Sequence, residues 1–131
     1  MKKNYLTFIS LIEKNLLASK GSKNSALKFF RSDSVSIEIY YKILISYYSQ
    51  DLTHYDDLCK KMHNGSRMTI KKIIDNATAN GFLIKNTNVN DHRKVDINPS
   101  DQMIKEFEDH ALELKEALEF LWLFSPSSVS P

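Results

Sequence analysis

Residues 66–95 read SRMTIKKIIDNATANGFLIKNTNVNDHRKV, and this stretch decides the fold. Its first half places apolar residues on one side of a helix, and these are Ile70, Ile73, Ile74 and Ala77. The opposite side is polar and carries positive charge. Gly81 supplies the backbone freedom that ends helices, and two strand-like runs follow at 82–85 and 94–97. The pattern predicts a basic helix followed by a β-hairpin.

A second helix is predicted directly before the basic one, at residues 53–62. Thr53 and Asp56 have the spacing of a capping box, in which the shorter acid stands in for Glu. The predicted inner face of this helix consists of Tyr55, Leu58, Cys59 and Met62. The tetrapeptide HNGS at 63–66 is a turn by composition, and Ser66 is placed to cap the basic helix. Two helices joined by a tight Gly-containing turn and followed by a hairpin predict a winged helix-turn-helix.

Helices are also predicted on both sides of this core. Upstream, residues 4–19 carry an apolar stripe, residues 24–31 form a short helical piece, and Asp33 or Ser34 can cap a buried helix. Downstream, Asn98 and Pro99 have the pattern of the cap and first residue of a long final helix. We expect two apolar stripes to bury each other across a dimer interface, and their members are Tyr5, Phe8, Ile12 and Leu16 upstream and Ile104, Phe107, Ala111, Leu114, Leu118 and Leu121 downstream.

The length of 131 residues is typical of one domain, so we predict a single domain at 1–131. The predicted fold class is mainly α with a small antiparallel β-wing. Within it, residues 34–97 form the winged helix-turn-helix core, and residues 1–33 and 98–124 supply the N- and C-terminal dimerisation helices. Residues 125–131 are expected to be a flexible tail.

Charge is segregated along the sequence, although the formal net charge is only +2. Residues 60–94 hold eight Lys or Arg against two Asp, whereas residues 100–124 hold seven acidic residues against two Lys. A basic module beside an acidic helix indicates that one part of the protein meets a polyanion. The alternative is a charged surface that is uneven and merely solvated.

The sequence argues against an enzyme, because it contains no Gly-rich phosphate loop, nucleophile elbow or pair of acids in an apolar setting. Cys59 lies near Asp56 and His63, but a small buried thiol is favoured over a metal or redox site. The histidines lack zinc-ligand spacing, so neither a metal nor a cofactor is predicted. No apolar run approaches the ~20 residues that a membrane span needs, and the N-terminus is unlike a signal peptide. We therefore expect a cytoplasmic, nucleoid-associated protein without membrane contact.

Residues 52–97, LTHYDDLCKKMHNGSRMTIKKIIDNATANGFLIKNTNVNDHRKVDI, resemble the DNA-binding core of the MarR family of bacterial transcription regulators. The resemblance runs from Val35 to the middle of the last helix, and it is carried by Arg67, Thr69-Ile70, Lys72–Asp75, Gly81–Leu83 and Asp91–Lys94. It implies that helix 66–80 lies in the major groove and that wing 86–93 places Arg93, oriented by Asp91, in the minor groove. The residues assigned to DNA are Ser66, Arg67, Met68, Thr69, Lys71, Lys72, Asn76, Asp91, Arg93 and Lys94.

Physical chemistry makes the same assignments plausible. Lys and Arg near a duplex release counterions and so provide affinity, whereas Thr and Asn can bond to base edges. An Arg that enters a narrow, A·T-rich minor groove gains from its negative potential, and a nearby Asp can orient the guanidinium beforehand. The alternative for Arg93 is an exposed charge on a mobile loop.

These observations predict a sequence-specific regulator of transcription, a homodimeric repressor that binds double-stranded DNA. Two alternatives stay open, a winged-helix protein-interaction or assembly module and a DNA replication or partition protein. The resemblance also implies a small-molecule effector near Tyr40, Tyr47 and Tyr55, although tyrosines at the edge of the core are the favoured interpretation.

Overall fold

The computed structural model describes residues 5–7, 9–10, 13, 25–51, 53–87 and 94–123, with side chains through 119. Residues 5–7, 9–10 and 13 are helical. The further elements, in chain order, are α1 (Ala26–Phe30), α2 (Ser34–Tyr48), α3 (Tyr55–Lys61), α4 (Arg67–Ala79), β1 (Leu83–Thr87), β2 (Val95–Pro99) and α5 (Asp101–Leu123). Strands β1 and β2 form an antiparallel hairpin in which Lys85 lies opposite Ile97. The predicted fold class, mainly α with a small antiparallel wing, is confirmed.

The chain divides into two compact units. One spans Asn24–Lys105 and contains α1 to α4, the hairpin and the first turn of α5. The other combines Met1–Lys23 with Glu106–Pro131. The first unit therefore extends beyond the predicted core of 34–97 at both ends and includes the short helix α1.

The core of the Asn24–Lys105 unit draws apolar side chains from both its helices and its hairpin. Its largest side chains with less than 2% exposure are Phe30, Ile39, Ile43, Leu58, Ile70, Ile74, Ile97 and Met103. Burying one such side chain stabilises the fold by about 1.5–3 kcal/mol. This core fixes α2, α3, α4 and β2 together, which gives α4 a rigid support.

Helix α2 begins as the sequence predicted. The Asp33 carboxylate accepts a hydrogen bond from the backbone nitrogen of Ser36 at 2.8 Å. This bond lowers the pKa of Asp33 below its ordinary value, and the partial burial that opposes it is the weaker influence. The helix was predicted to be buried, and Ile39, Tyr40, Ile43 and Leu44 are buried, whereas Val35 is half-buried and Tyr47 is exposed.

The capping box predicted at Thr53 is wrong. Helix α3 starts at Tyr55, and His54 occupies the cap position without a side-chain hydrogen bond to the backbone. Thr53 is instead buried, and its carbonyl accepts a hydrogen bond from the nitrogen of Ile97 at 2.7 Å. His54 forms a β-bridge with Asp96, and its Nδ1 lies 2.5 Å from the Asp96 carboxylate. The bridge to Asp96 gives His54 a β conformation, and α3 begins only at Tyr55, two residues after Thr53.

The predicted start of the last helix at Asn98 and Pro99 is also wrong. Pro99 is the last residue of β2 and lies opposite Leu83, so the hairpin continues to that point. The cap is Ser100, whose Oγ accepts a hydrogen bond from the nitrogen of Met103 at 3.2 Å, and α5 begins at Asp101. The strands accordingly lie one or two residues later than the runs 82–85 and 94–97 that the sequence indicated.

The downstream apolar stripe on α5 is only partly covered. Its members Ile104, Phe107, Ala111 and Leu114 are half-buried, and Leu118 is 54% exposed. The Leu121 side chain and residues Phe8, Ile12 and Leu16 of the upstream stripe lie outside the described structure, while Tyr5 is 51% exposed. The mutual burial of these stripes across a dimer stays a prediction.

Candidate nucleic-acid interface

Helix α4 has two chemically distinct sides. Ile70, Ile74 and Ala77 are at most 1% exposed, and Ile73 is half-buried, as the sequence predicted. The exposed side presents most of the residues assigned to DNA, and these are Arg67, Met68, Thr69, Lys71, Lys72 and Asn76. Ser66 caps the helix, because its Oγ accepts a hydrogen bond from the nitrogen of Thr69 at 3.2 Å. The apolar side fixes α4 on the core and leaves a polar, basic face in solvent.

The turn between α3 and α4 requires a glycine at position 65. Gly65 has a φ of +92°, a conformation that residues with a side chain rarely adopt. A Cβ at this position would lie 2.8 Å from Cγ1 of Val35 on α2. A side chain at position 65 is therefore disfavoured both by the backbone conformation and by the contact with Val35. The turn lies close against α2 at this point, directly before α4 begins.

Glu38 on α2 also holds this turn, and it was not predicted from the sequence. Its Oε2 accepts a hydrogen bond from the nitrogen of His63 at 2.8 Å, and its Oε1 accepts one from the nitrogen of Asn64 at 3.1 Å. The only signal in the sequence was an acidic residue within the apolar pattern of α2. Burial tends to raise the pKa of Glu38, but the hydrogen bonds from His63 and Asn64 outweigh it and lower the pKa.

Helices α3 and α4 are joined at the start of α4. The guanidinium of Arg67 lies 2.8 Å from the carboxylate of Asp56, with both side chains about 60% exposed. The Tyr55 hydroxyl donates a hydrogen bond to the carbonyl of Arg67 at 2.8 Å. Burial, together with a hydrogen bond to Cys59, raises the pKa of Tyr55 to about 12, so this phenol stays a donor at neutral pH. Arg67 is thus positioned before any ligand arrives.

A second ionic cluster joins α4 to the hairpin. Lys71 and Asp75 form an ion pair at 2.8 Å along α4, and Lys85 on β1 pairs with the same carboxylate. Hydrogen bonds from Lys71 and then Lys85 lower the pKa of Asp75 below its ordinary value. Within the described part of the chain, Lys72 has no carboxylate within ion-pair distance, so its charge faces solvent.

The tip of the wing lies outside the described residues. Asp91 and Arg93, assigned to the minor groove by resemblance, both fall in 88–93, which the structure does not describe. Lys94 is exposed just before β2 begins. The structure therefore fixes the base of the wing, and the roles of Asp91 and Arg93 stay predictions.

The three tyrosines named for an effector occupy different environments. Tyr40 is buried and packs against Phe30 with ring centroids 5.5 Å apart, whereas Tyr47 is exposed and packs against Tyr48 at 5.0 Å. Tyr55 lines a cavity of about 130 Å³ between α4 and the hairpin. An aromatic pocket shared by Tyr40, Tyr47 and Tyr55 is not evident from these contacts.

The free thiol of Cys59 is half-buried beside Tyr55. Among residues 25–51, 53–87 and 94–123, no group of three His, Cys, Asp or Glu is arranged to hold a metal ion. In the same described ranges, no helix is long and apolar enough to cross a membrane.

Comparison with solved structures gives consistent matches along nearly the whole chain. A variant of S. aureus MepR bound to an oligodeoxyribonucleotide has a TM-score of 0.60 and 17% identity, with 98% of this chain and 88% of that chain covered. YusO from Bacillus subtilis has a TM-score of 0.56 and 13% identity, with 98% and 85% covered. A MarR-like transcription regulator from Bacillus cereus ATCC 10987 has a TM-score of 0.53 and 16% identity, with 97% and 84% covered.

Comparison at the level of sequence finds no related family. No protein-family model matches this chain, and no curated protein matches it significantly. At identities of 13–17% the likeness to these structures is one of fold. The helix-turn-helix, the hairpin and the flanking helices therefore constitute the winged helix-turn-helix fold of MarR-type transcription regulators.

Proposed function

We propose that this protein is a transcription regulator that binds double-stranded DNA with α4 in the major groove. The observation that carries the proposal is the exposed side of α4, where Arg67, Thr69, Lys72 and Asn76 project away from a fully buried apolar side. A helix held in this way can enter a groove without losing its own packing. The DNA-bound state of the similar MepR variant adds support from fold.

The residues of α4 divide by chemistry. Lys72, whose charge faces solvent, is suited to a phosphate and would provide affinity that depends on salt but not on sequence. Thr69 and Asn76 carry groups that bond to base edges. Arg67 can bond to guanine through two nitrogens, and its pairing with Asp56 fixes its position beforehand. Ser66 caps α4, and in the proposed complex the backbone nitrogens of this first turn would lie near a phosphate of the duplex.

The wing completes the proposed interface. Residues 86–93 would follow the backbone into the minor groove, with Arg93 inserted and Asp91 orienting it. Lys94, exposed at the base of β2, would contact a phosphate. This part of the proposal rests on the family resemblance and on the position of the hairpin next to α4.

We also propose a homodimeric repressor in the cytoplasm. The half-covered stripe on α5, together with exposed Tyr5, offers apolar surface for a second copy. A two-fold dimer would present two α4 helices to half-sites about 34–36 Å apart on a pseudo-palindrome. Regulation by a small-molecule effector would add control of this dimer, although Tyr40, Tyr47 and Tyr55 are not brought together to receive one.

The test is duplex binding by Lys72→Ala at several salt concentrations. Loss of one phosphate contact should weaken binding and reduce the slope of log affinity against log salt by about 0.9. Lys105→Ala removes another exposed lysine, from the first turns of α5, and serves as the matched control. Equal affinity of wild type and Lys72→Ala would contradict the placement of α4.

A wild-type protein that retains no duplex at low salt would contradict DNA binding altogether. It would favour the alternative of a winged-helix assembly module. A replication or partition protein would bind duplex as well, so genomic fragments retained by the protein separate that alternative. Promoter-proximal fragments support regulation, and fragments from replication origins contradict it.

A further inference from the structure

Asp75 occupies an unusual position for an acidic residue, because it lies within a basic surface. Lys71 precedes it by one turn on α4, and Lys85 approaches it from β1. Asp75 and Lys85 are 38% and 35% exposed, respectively, so both side chains are partly withdrawn from water. One carboxylate thus joins two cations that belong to two different elements.

This link spans a gap in the packing. The cavity of about 130 Å³ between α4 and the hairpin has Tyr55, Ile74, Val95 and Ile97 in its wall, and Lys71, Asp75 and Lys85 complete its lining. Apolar side chains that touch fix two elements firmly, but side chains across a gap do not. The ion pairs of Asp75 therefore add a polar link between β1 and α4 at the side of this cavity, next to the apolar contacts of the core.

The same carboxylate also reduces the positive electrostatic potential that this surface presents to a polyanion. Lys71 and Lys85 would each attract a phosphate, but a carboxylate in contact with both neutralises part of their field and repels the phosphate itself. Attraction to phosphates is the sequence-independent part of DNA binding. Asp75 consequently weakens the part of binding that does not discriminate between sequences.

We propose that Asp75 is a positioning residue that fixes the first wing strand on α4 through Lys85 and withholds Lys71 and Lys85 from phosphates, which favours specific over non-specific duplexes. This inference rests on the proposed function. It assigns a role to a residue that need not touch DNA and that is not among the residues assigned to DNA.

The first experiment measures the binding of Asp75→Asn to a genomic fragment retained by the wild type and to a random duplex of equal length. Freed lysines that each gain a phosphate should steepen the salt slope by about 0.9 per lysine. The affinity ratio of Asp75→Asn to wild type for the random duplex should therefore be about tenfold larger at 0.1 M salt than at 1 M salt for each freed lysine. The ratio of specific to random affinity should fall, and Asp75→Glu, which keeps the charge, should restore much of it.

Two controls separate this mechanism from a general change of charge or fold. Asp51→Asn removes an exposed carboxylate from the connection between α2 and α3 and should leave the specificity ratio unchanged. In a double-mutant cycle with Lys85→Gln, the effects of the two substitutions on the free energy of binding should be non-additive. Once Lys85 is replaced, Asp75→Asn can free only Lys71 for contact with a phosphate. Additive effects would show that Asp75 does not act through Lys85 and would overturn the inference.

A readout without DNA completes the test. If Asp75 fixes the wing strand, amide hydrogens of β1 should exchange several-fold faster in Asp75→Asn than in the wild type, while amides of α2 should not change. If Asp75→Asn leaves the β1 exchange rates or the salt slope unchanged, this inference is overturned. The proposed function survives that result as long as Lys72→Ala still weakens duplex binding. A wild type that binds no duplex at all would overturn the proposed function and this inference with it.

Discussion

Glu38 on α2 lies 2.6 Å from the ring Nδ1 of His63 and accepts a hydrogen bond from the backbone nitrogen of the same residue. One carboxylate thereby accepts hydrogen bonds from the backbone nitrogens of the turn that leads into α4. Replacement by Gln keeps the shape but removes the charge, and we expect a loss of about 1–3 kcal/mol in the free energy of unfolding. Chemical denaturation measures the loss, and Glu113→Gln, on an exposed part of α5, is the matched control. Equal stabilities of the two variants would contradict the role of Glu38.

The contribution of Glu38 should depend on pH. Its pKa in the folded protein lies below the ordinary value of 4.5, so its stabilisation is fully present above that pH and is lost as pH falls through the folded-state pKa. The difference in unfolding free energy between wild type and Glu38→Gln should therefore be largest near neutrality and shrink below pH 4.5. Urea titrations at pH 7 and at successively lower pH measure it. A difference that stays constant across this range would exclude the charge as its source.

The two glycines with positive φ give a comparison that separates backbone strain from crowding. Gly65 has a φ of +92° and no room beside Val35, whereas Gly81 has a φ of +81° and nothing within 4 Å of an added Cβ. We expect Gly81→Ala to lower the free energy of unfolding by about 1–2 kcal/mol. Gly65→Ala should lower it by more, because the new methyl group also displaces the side chain of Val35. Thermal unfolding of both variants tests this order. Combining Gly65→Ala with Val35→Ala should recover the crowding part alone.

The dimer prediction can be tested on two leucines of α5 with nearly equal exposure. Leu118, a member of the predicted seam, is 54% exposed, and Leu112, outside the seam, is 55% exposed. Leu118→Asp should shift the protein to monomers at micromolar concentration in sedimentation, because a charge would be buried in the interface. Leu112→Asp should leave the assembly intact. A monomeric wild type would refute the interface.

The wing prediction concerns Arg93. Its replacement by Ala should weaken binding most for sites with A·T-rich flanks, where the minor groove is narrow, and should lower the salt slope by about one. Asp91→Ala should act in the same direction but less strongly, because the guanidinium remains and only its placement is lost. Binding assays at matched salt with A·T-rich and G·C-rich flanks measure both. Equal effects on the two kinds of flank would show that the wing is only a surface loop.

The sequence predicted what periodicity and single-residue chemistry can specify. The apolar side of α4 at Ile70, Ile74 and Ala77 and the caps at Asp33 and Ser66 were all correct, because each depends on neighbours in the chain. For the candidate site, the structure confirms that the residues on the polar face of α4 are exposed, and their contacts with DNA stay a prediction.

The errors and omissions have a common origin in contacts between distant segments. Thr53 and Pro99 were given local roles at helix starts, but strand pairing decides both. Glu38 and Asp75 were not singled out, because their partners His63 and Lys85 belong to other elements and no local pattern connects them. A tertiary contact overrides local propensity wherever the two compete for the same backbone.

The hydrogen bond from Ile97 to Thr53 has a consequence for the order of folding. It joins segments on either side of α3 and α4, so it can form only after the intervening chain has closed into a loop. Contacts within α3 and α4 are local, whereas this bond joins residues far apart in the chain, and contacts of that kind slow folding. During synthesis, β2 must leave the ribosome before this bond can form. A nascent chain that ends before Ile97 lacks both this bond and a complete hairpin, so under the proposed function folding would delay DNA binding.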